Sequence, residues 1–169
     1  MLDMHLKSLE LCYFEVSEAF KGLSNEHLWT RPSPNLLSVG ELAGHIAYWE
    51  AVRFASDDSK GKSYRDLSNC SIKSPLLDEQ FGYYTSTVDI PPTAAHLSIT
   101  VDEVRSELLR IHEEAMDNLK TLNPSMDAQA PHWHADYNDL LRYVAFHIAY
   151  HTGQMYTVRH LLGETPPDN

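Results

Sequence analysis

The stretch from Tyr143 to Val158 constrains the fold most, because its 16 residues include no Asp, Glu, Lys or Arg. Those four residue types make up 22% of the whole chain, so their absence predicts a segment that is buried on more than one side. A helix that spans a bilayer needs about 17 to 25 apolar residues, and this run is too short and too polar for that. We therefore predict a helix in the core of the protein.

Two histidines on this predicted helix, His147 and His151, point in the same direction as its apolar residues. At about 100° per residue they share one stripe with five others, namely Leu140, Val144, Met155, Val158 and Leu162. Histidines four residues apart on a helix can bring their ring nitrogens to one metal ion. The chain has ten histidines, however, and an inward histidine is often only a hydrogen-bonded core residue. The spacing alone leaves both interpretations open.

Composition limits the classes of partner. The formal net charge of −11 argues against a nucleic acid or an anionic membrane as partner, because both require clustered Lys and Arg. The first residues include an early acid and no apolar core of about 7 to 15 residues, which predicts that there is no signal peptide. Two cysteines, Cys12 and Cys70, are too few for a disulfide framework or a zinc cluster and fit a reducing compartment. We therefore expect a cytoplasmic protein that acts on a small molecule.

Four segments combine helical spacing of apolar residues with helix start or stop signals. They run from about Leu2 to Lys21, from Ser38 to about Ser56, from Thr100 to about Leu122, and from Asp136 to Gly163. The second and third begin with capping boxes, Ser38-Val39-Gly40-Glu41 and Thr100-Val101-Asp102-Glu103. No segment gives a convincing strand pattern, so residues 1–169 are predicted to form one all-α domain, a four-helix bundle.

The connection between the second and third helices, residues 57–98, is long and rich in Ser, Asp, Tyr and Pro, with one short helix predicted around Leu76 to Tyr83. A connection of this length within a compact domain is often a lid or a wall over a site. A packed crossover between two distant helices is the alternative, and we favour it. Tyr83 and Tyr84 are candidate pocket-wall residues.

The second helix contributes a third inward histidine, His45. Its inward stripe consists of Leu42, His45, Ile46, Trp49 and Val52. Trp49 is predicted to line an apolar pocket beside the histidines. Glu50 and Arg53 are predicted to be solvated flanks of the stripe.

Three further histidines are weaker candidates. His112 lies at the edge of the apolar stripe of the third helix, where it is either a fourth metal ligand or a boundary residue. The adjacent Glu113 and Glu114 mark a solvent margin and favour the boundary residue. His132 and His134 lie in the connection before the last helix, and we treat them as candidate rim residues.

The three inward histidines, His45, His147 and His151, need polar partners in an apolar core. A buried imidazole with an unpaired nitrogen costs about 1 to 3 kcal/mol, so three would cost about 3 to 9 kcal/mol of a typical net stability of about 5 to 15 kcal/mol. One divalent metal ion satisfies all three, whereas separate hydrogen bonds would need three coincidences. Three protein ligands plus an open position are typical of catalytic zinc, and all-imidazole ligation also suits nickel, iron or copper.

The same residues carry a resemblance to a known family. Nearly the whole chain resembles the DinB-like superfamily of small metalloproteins, through Trp29, Pro32, Ser38-Val39 and His45, followed by the motif His147-x-x-x-His151-x-x-Gln154. The resemblance implies a four-helix bundle with a long crossover, often a homodimer, and a divalent metal held by His45, His147 and His151. Similar proteins include S-transferases that use bacillithiol and, more distantly, mycothiol-dependent isomerases. The resemblance does not extend to a substrate.

Two classes of function follow. In the first, the protein is an enzyme in which the metal lowers the pKa of a thiol or a water, Gln154 orients the substrate or nucleophile, and Trp49 lines the pocket. No Asp or Glu lies on the inward stripes beside the histidines as a general base, which favours a low-molecular-weight thiol over water. In the second, the protein is a non-catalytic metal- or small-ligand-binding module that responds to stress.

The last helix also carries a row of small residues, Ala145, Ala149 and Gly153, which faces away from the histidine pair. Small residues at four-residue spacing let another helix approach closely. A helix packed on one side only has a charged opposite face, and this one has none. We therefore predict a homodimer that uses this row or its surroundings.

Overall fold

The chain folds into six α-helices in the computed structural model, which describes residues 1–56, 67–83 and 89–167. They are α1 (Leu2–Glu18), α2 (Asn25–Leu28), α3 (Val39–Phe54), α4 (Ala94–Leu97), α5 (Val101–Leu122) and α6 (Tyr137–Leu161). Helices α1, α3, α5 and α6 are the four long helices predicted from the sequence. Within the described ranges the only β pairing is an isolated bridge between Ser56 and Cys70. The predicted all-α class is therefore confirmed.

The predicted helix ends differ from the observed ones by a few residues. The first helix stops at Glu18 and not at Lys21, and the chain continues to Gly22 in turns closed by hydrogen bonds such as Lys21 N to Glu18 O (3.0 Å). Gly22 has a φ of +70°, a conformation that glycine adopts without strain. The helix predicted around residues 76–83 is a 3₁₀ helix of four residues, Glu79–Gly82.

Capping boxes fix the starts of α3 and α5, as predicted. Glu41 accepts a hydrogen bond from the backbone N–H of Ser38 (2.8 Å), and the Ser38 hydroxyl accepts one from the N–H of Glu41 (3.3 Å). Thr100 and Glu103 form the same pair of bonds at the start of α5. Glu41 is fully buried, where it also accepts a hydrogen bond from Arg31 (3.0 Å). The beginning of α3, one turn before His45, is therefore held firmly in place.

Helix α3 is the central element of the bundle. It packs against both α5 and α6, while α1 packs mainly against α6 and contacts α5 through pairs such as Tyr13 and His112. Burial on nearly every side of α3 corrects the prediction that Glu50 and Arg53 are solvated flanks, since Glu50 is 1% exposed and Arg53 is half-buried. The sequence pattern could not show this, because a charged residue beside an apolar stripe is normally solvated.

The 3₁₀ helix Glu79–Gly82 lies directly on α3 because Gly44 has no side chain. A Cβ atom added at Gly44 would lie only 2.4 Å from a ring carbon of Phe81, whose side chain is fully buried. Glycine at this position thus lets the crossover approach the helix beside His45. The described part of the crossover packs on α3, as we favoured, but α3 and α5 also pack directly against each other, so the expectation that it bridges two distant helices is wrong. The candidate wall residue Tyr84 lies outside the described residues.

Helix α6 is buried on fewer sides within the chain than its uncharged run predicts. Phe146 is 61% exposed and Tyr150 is 53% exposed. Ala149 and Gly153 are also exposed, and a Cβ atom added at Gly153 would meet no atom within 4 Å. Ala145 faces α1, where its carbonyl oxygen lies 3.7 Å from the sulfur of Cys12. Among the described helices, none combines the length and the apolar character that a bilayer crossing requires.

Candidate metal centre

Three histidines from two helices converge where α3 packs against α6. His45 comes from α3, and His147 and His151 come from α6, as the sequence predicted. Their candidate ligand atoms all lie within 4.8 Å of one another, and the Nε2 atoms of His45 and His147 are 3.2 Å apart. Tetrahedral zinc with Zn–N bonds of about 2.0 to 2.1 Å separates its ligand nitrogens by about 3.4 Å. The three side chains therefore fit a divalent metal ion.

Hydrogen bonds on the far side of two of the rings fix their orientation. His45 Nδ1 lies 2.8 Å from the carbonyl oxygen of Phe81, and His151 Nδ1 lies 2.7 Å from the amide oxygen of Gln154. Because both oxygens accept hydrogen bonds, the proton of each ring is assigned to Nδ1, which leaves Nε2 with its lone pair. Partners of this kind set the tautomer and direction of metal-binding histidines.

The three rings are held in the neutral form that binds metals. Burial, followed by the neighbouring His151, lowers the pKa of His45 to about 3. Burial also lowers the pKa of His147 far below its usual range, with a further contribution from the charge of Arg53. The pKa of His151 is lowered as well, again mainly by burial. At neutral pH a metal ion therefore displaces no proton from these side chains.

Arg53 places a positive charge near the cluster. The carbon at the centre of its guanidinium group lies 5.1 Å from the centroid of the Trp49 ring and 5.2 Å from the centroid of the Tyr143 ring. Both distances are typical of cation–π contacts. Sequence reasoning missed this role because it placed Arg53 in solvent. A cation here favours an anionic group as an additional ligand of the site.

Trp49 and Tyr83 both flank His45. The Trp49 ring is edge-on to His45 with centroids 6.3 Å apart, and its indole N–H donates to the carbonyl oxygen of Gly82 (3.3 Å). The Tyr83 ring centroid lies 5.8 Å from that of His45, and its hydroxyl donates to Glu41 (3.1 Å). Both residues thus lie beside His45, and their role as a pocket wall stays a prediction.

Gln154 contacts a histidine of the cluster directly. Its amide oxygen is the acceptor for His151, and its amide nitrogen donates to the hydroxyl of Tyr150 (3.3 Å). The sequence placed Gln154 on the correct side of α6, but the interaction observed is with a candidate ligand. Orientation of a substrate by Gln154 stays a prediction.

The weaker histidine candidates lie outside the cluster. His112 Nδ1 is hydrogen-bonded to Glu50 (2.8 Å) in the core, so the structure assigns it a carboxylate partner and no place among the candidate ligands. His134 Nδ1 lies 3.1 Å from Asp139 at the start of α6, and its ring is 3.8 Å from that of Trp133. His132 lies in the same loop with a φ of +64°.

The carbonyl oxygen of Phe81 is the main site feature that the sequence did not reveal. A backbone oxygen has no residue-type signature, and Phe81 is 36 positions from its partner His45. The only signal in the sequence is Gly44, because a glycine inside a helix often marks a close approach of another segment. That signal indicates where a segment packs and gives no indication of which one.

Comparison with known proteins identifies one family. The family described as the DinB superfamily matches residues 8–155, a range that includes all three histidines and Gln154. Neither a curated protein nor a solved structure matches the chain significantly.

Proposed function

This chain belongs to the DinB superfamily, and we propose that it is a divalent-metal-dependent enzyme that activates a small thiol or a water at His45, His147 and His151. Membership of the family and the convergence of the three histidines support metal binding. The choice among zinc, nickel and iron is open, since imidazole suits all three.

The observation that carries the proposal is the number of protein ligands. Within the described residues the cluster consists of three side chains. Structural zinc sites normally close with four protein ligands, whereas catalytic sites use three and keep a position open for a water or a substrate. Three neutral imidazoles, two of them oriented by hydrogen bonds, therefore favour a catalytic centre.

A bound divalent ion supplies a Lewis acid that lowers the pKa of a thiol or a water into the neutral range. The side chains around it prepare the site for an anion. Phe81 and Gln154 hold two of the rings in place, and the Arg53 cation attracts negative charge. Trp49 and Tyr143 form an aromatic wall for the apolar part of a substrate.

A thiol is favoured over water as the nucleophile. Within the described residues the cluster of converging ligand atoms contains no carboxylate, so none stands among the candidate ligands to act as a general base. Hydrolysis by an activated water commonly uses such a base, whereas a thiol that has lost its proton attacks without one. We therefore propose transfer of a low-molecular-weight thiol to an electrophile.

The test is thiol conjugation to 1-chloro-2,4-dinitrobenzene by metal-loaded protein, with cysteine, glutathione, bacillithiol and mycothiol compared separately. Turnover is expected to require metal and to disappear in His147→Ala. His160→Ala is the matched control, because His160 is exposed on the same helix and lies outside the cluster. Turnover that persists in His147→Ala, or that fails with every thiol and with hydrolysable esters, contradicts the proposal.

The competing function is a non-catalytic metal- or small-ligand-binding module that responds to stress. The observation in its favour is that the cluster joins α3 to α6, so an ion there would link two helices that already pack together. In that case metal raises thermal stability but supports no turnover. A fourth protein ligand in the metal shell of the loaded protein would decide for the module.

We also propose that the protein is a homodimer in which the exposed face of α6 is covered. This face comprises Phe146, Ala149, Tyr150 and Gly153, two large aromatic residues beside two small ones. Large exposed apolar patches typically mark interaction sites. Light scattering is expected to give twice the chain mass of 19.3 kDa, and Phe146→Glu is expected to reduce it to that mass. A single-chain mass at all concentrations contradicts the dimer.

A further inference from the structure

The crossover docks on α3 through a short turn, residues 81–83, directly beside a candidate metal ligand. We call this segment the docking turn. Three hydrogen bonds join it to side chains of α3, namely Glu41 to the Tyr83 hydroxyl (3.1 Å), His45 to the carbonyl oxygen of Phe81 (2.8 Å), and Trp49 to the carbonyl oxygen of Gly82 (3.3 Å). Positions 41, 45 and 49 are four residues apart, so the three side chains lie on one face of the helix. The docking turn therefore lies on the face that carries His45.

Tyr83 has a backbone conformation that a bulky residue rarely adopts. Its φ of +41° and ψ of +59° fall in the left-handed region, where the side chain of an L-residue crowds the backbone. Asn123 at the end of α5 has nearly the same angles, φ +42° and ψ +57°, but asparagine adopts them readily. Strained conformations of this kind persist only where the surrounding contacts impose them, and they are common at ligand-binding sites. Tyr83 therefore needs an anchor.

Glu41 is that anchor. It is fully buried, and its carboxylate also accepts hydrogen bonds from the backbone N–H of Ser38 (2.8 Å) and from Arg31 (3.0 Å), so its position is fixed. Burial and the charge of Glu41 raise the pKa of Tyr83 far above its usual range, so the hydroxyl remains a donor. A hydrogen bond from a hydroxyl to a carboxylate is among the stronger ones in proteins. This bond can therefore hold a conformation that the backbone alone does not favour.

The Phe81 carbonyl is the part of the docking turn that acts on the metal centre. It accepts a hydrogen bond from Nδ1 of His45 and lies two residues before Tyr83, so the anchor at Tyr83 limits how far this oxygen can move. An acceptor behind a metal-binding histidine fixes the ring and raises its basicity toward the metal. The linkage is reciprocal, because whatever free energy the docked turn contributes to metal binding, bound metal contributes equally to docking of the turn.

We propose that Tyr83 is a positioning residue for the metal centre, which acts on His45 through the Phe81 carbonyl. Its hydrogen bond to Glu41 holds the docking turn in the strained conformation in which that carbonyl faces His45. Metal binding and docking of the turn are therefore linked. The inference rests on the proposed metal site and is independent of the reaction at that site.

The first test is zinc affinity, measured by chelator competition on the full chain. Tyr83→Phe keeps the ring beside His45 and removes only the hydroxyl, so zinc should bind about tenfold more weakly than in the parent. Tyr137→Phe is the matched control, because it removes the hydroxyl of another partly buried tyrosine that lies outside the cluster, and its affinity should not change. A parent that binds no zinc refutes the metal centre itself, whereas equal affinity in the parent and Tyr83→Phe refutes only the role of Tyr83.

NMR of the histidine rings separates positioning from a general loosening of the site. In zinc-loaded protein with isotope-labelled histidine, the Nδ1–H protons of His45 and His151 have different acceptors, Phe81 and Gln154. Tyr83→Phe should speed solvent exchange of the His45 proton about tenfold and leave the His151 proton unchanged. Equal acceleration of both protons would show a general loosening and overturn the proposal.

Backbone hydrogen exchange tests the linkage from the other direction. The amides of Phe81 and Tyr83 are hydrogen-bonded, and zinc should slow their exchange about tenfold in the parent without slowing that of the Asn123 amide. Trp49→Phe removes the donor to Gly82 and should reduce this slowing, which keeps the test informative if Tyr83→Phe does not fold. Exchange that zinc slows at neither amide of the turn, or slows equally at Asn123, would contradict the linkage.

Discussion

Helix α3 carries two histidine clusters on two of its sides, and they differ in the partners of the rings. In the metal cluster, His45 and His151 donate to uncharged oxygens, those of Phe81 and Gln154. In the second cluster, on another side of α3, Nδ1 of His112 donates to a carboxylate, that of Glu50. Both clusters are largely buried, so burial does not explain the difference between them.

This difference shows that the hydrogen-bond partner of one ring nitrogen affects which interactions the other ring nitrogen can make. In the metal cluster, burial keeps the three rings neutral, and uncharged acceptors orient two of them, so that the ring nitrogens converge as a candidate ligand set. The carboxylate of Glu50 instead pairs with a single imidazole, and within the described residues no companion ligand converges on His112. The same residue type thus forms a candidate ligand set on one side of α3 and a carboxylate pair on another.

The largest effect on either cluster is expected from His151→Ala, in the metal cluster. Removing one of three ligands should abolish stoichiometric metal binding, measured by elemental analysis of the purified protein. It should also abolish the stabilisation that metal provides, about 4 kcal/mol when free metal is 1,000 times its dissociation constant. His112→Asn is the control and should retain both the metal and the stabilisation. An unchanged metal stoichiometry in His151→Ala would contradict the assignment of the metal centre.

Removal of the buried carboxylate should disturb the other cluster alone. Glu50→Ala leaves the Tyr13 hydroxyl and the Nδ1–H of His112 without their acceptor, which should lower the free energy of unfolding by about 3 kcal/mol in urea denaturation. Metal stoichiometry should not change. The exposed Glu113→Ala should alter stability by less than about 0.5 kcal/mol. If Glu50→Ala loses metal while it stays folded, the two clusters are coupled and the comparison fails.

Acid should destabilise the metal-free protein through the metal cluster. The pKa of His45 falls from an ordinary 6.5 to about 3 on folding, so its neutral form is favoured in the folded state. That contribution to stability is fully present above pH 6.5 and is lost as the pH falls toward 3. At pH 5 the loss is about 2 kcal/mol for His45 alone.

The measurement is urea denaturation of the metal-free protein at pH 7 and pH 5, beside His45→Gln. The variant should lose less stability between the two pH values than the parent, because it lacks the group whose pKa changes on folding. The same loss in both proteins would show that His45 does not carry this acid sensitivity.

The fold followed from local signals in the sequence. The capping boxes at Ser38 and Thr100 mark the starts of α3 and α5. A capping box can be read from the sequence because its two residues lie within four positions of each other. Apolar spacing then gives the length and inward side of each helix. The helix ends were less accurate, since turns after Glu18 continue the same hydrophobic pattern.

The candidate ligands followed from the sequence and the rest of the site did not. His45, His147 and His151 lie on inward stripes, which is a property of each helix alone. The burial of Glu50 depends on Tyr13 and on His112, a residue 62 positions away along the chain. Partners that far apart are brought together only by tertiary packing, and no local pattern records them.

The smallest expected effect comes from exchanging the partner of one ring, at Gln154. Gln154→Leu removes the acceptor for Nδ1 of His151, so the ring is free to rotate and metal affinity should fall about tenfold. Gln154→Glu keeps an acceptor and gives His151 the carboxylate partner that His112 has, so its affinity should be at least that of the parent. Chelator competition measures both, and Tyr150→Phe, which removes only the hydroxyl that Gln154 contacts, is the control. Equal metal affinity in Gln154→Leu and the parent would mean that the Gln154 acceptor does not orient His151. The two clusters would then differ only in the charge of their hydrogen-bond partners.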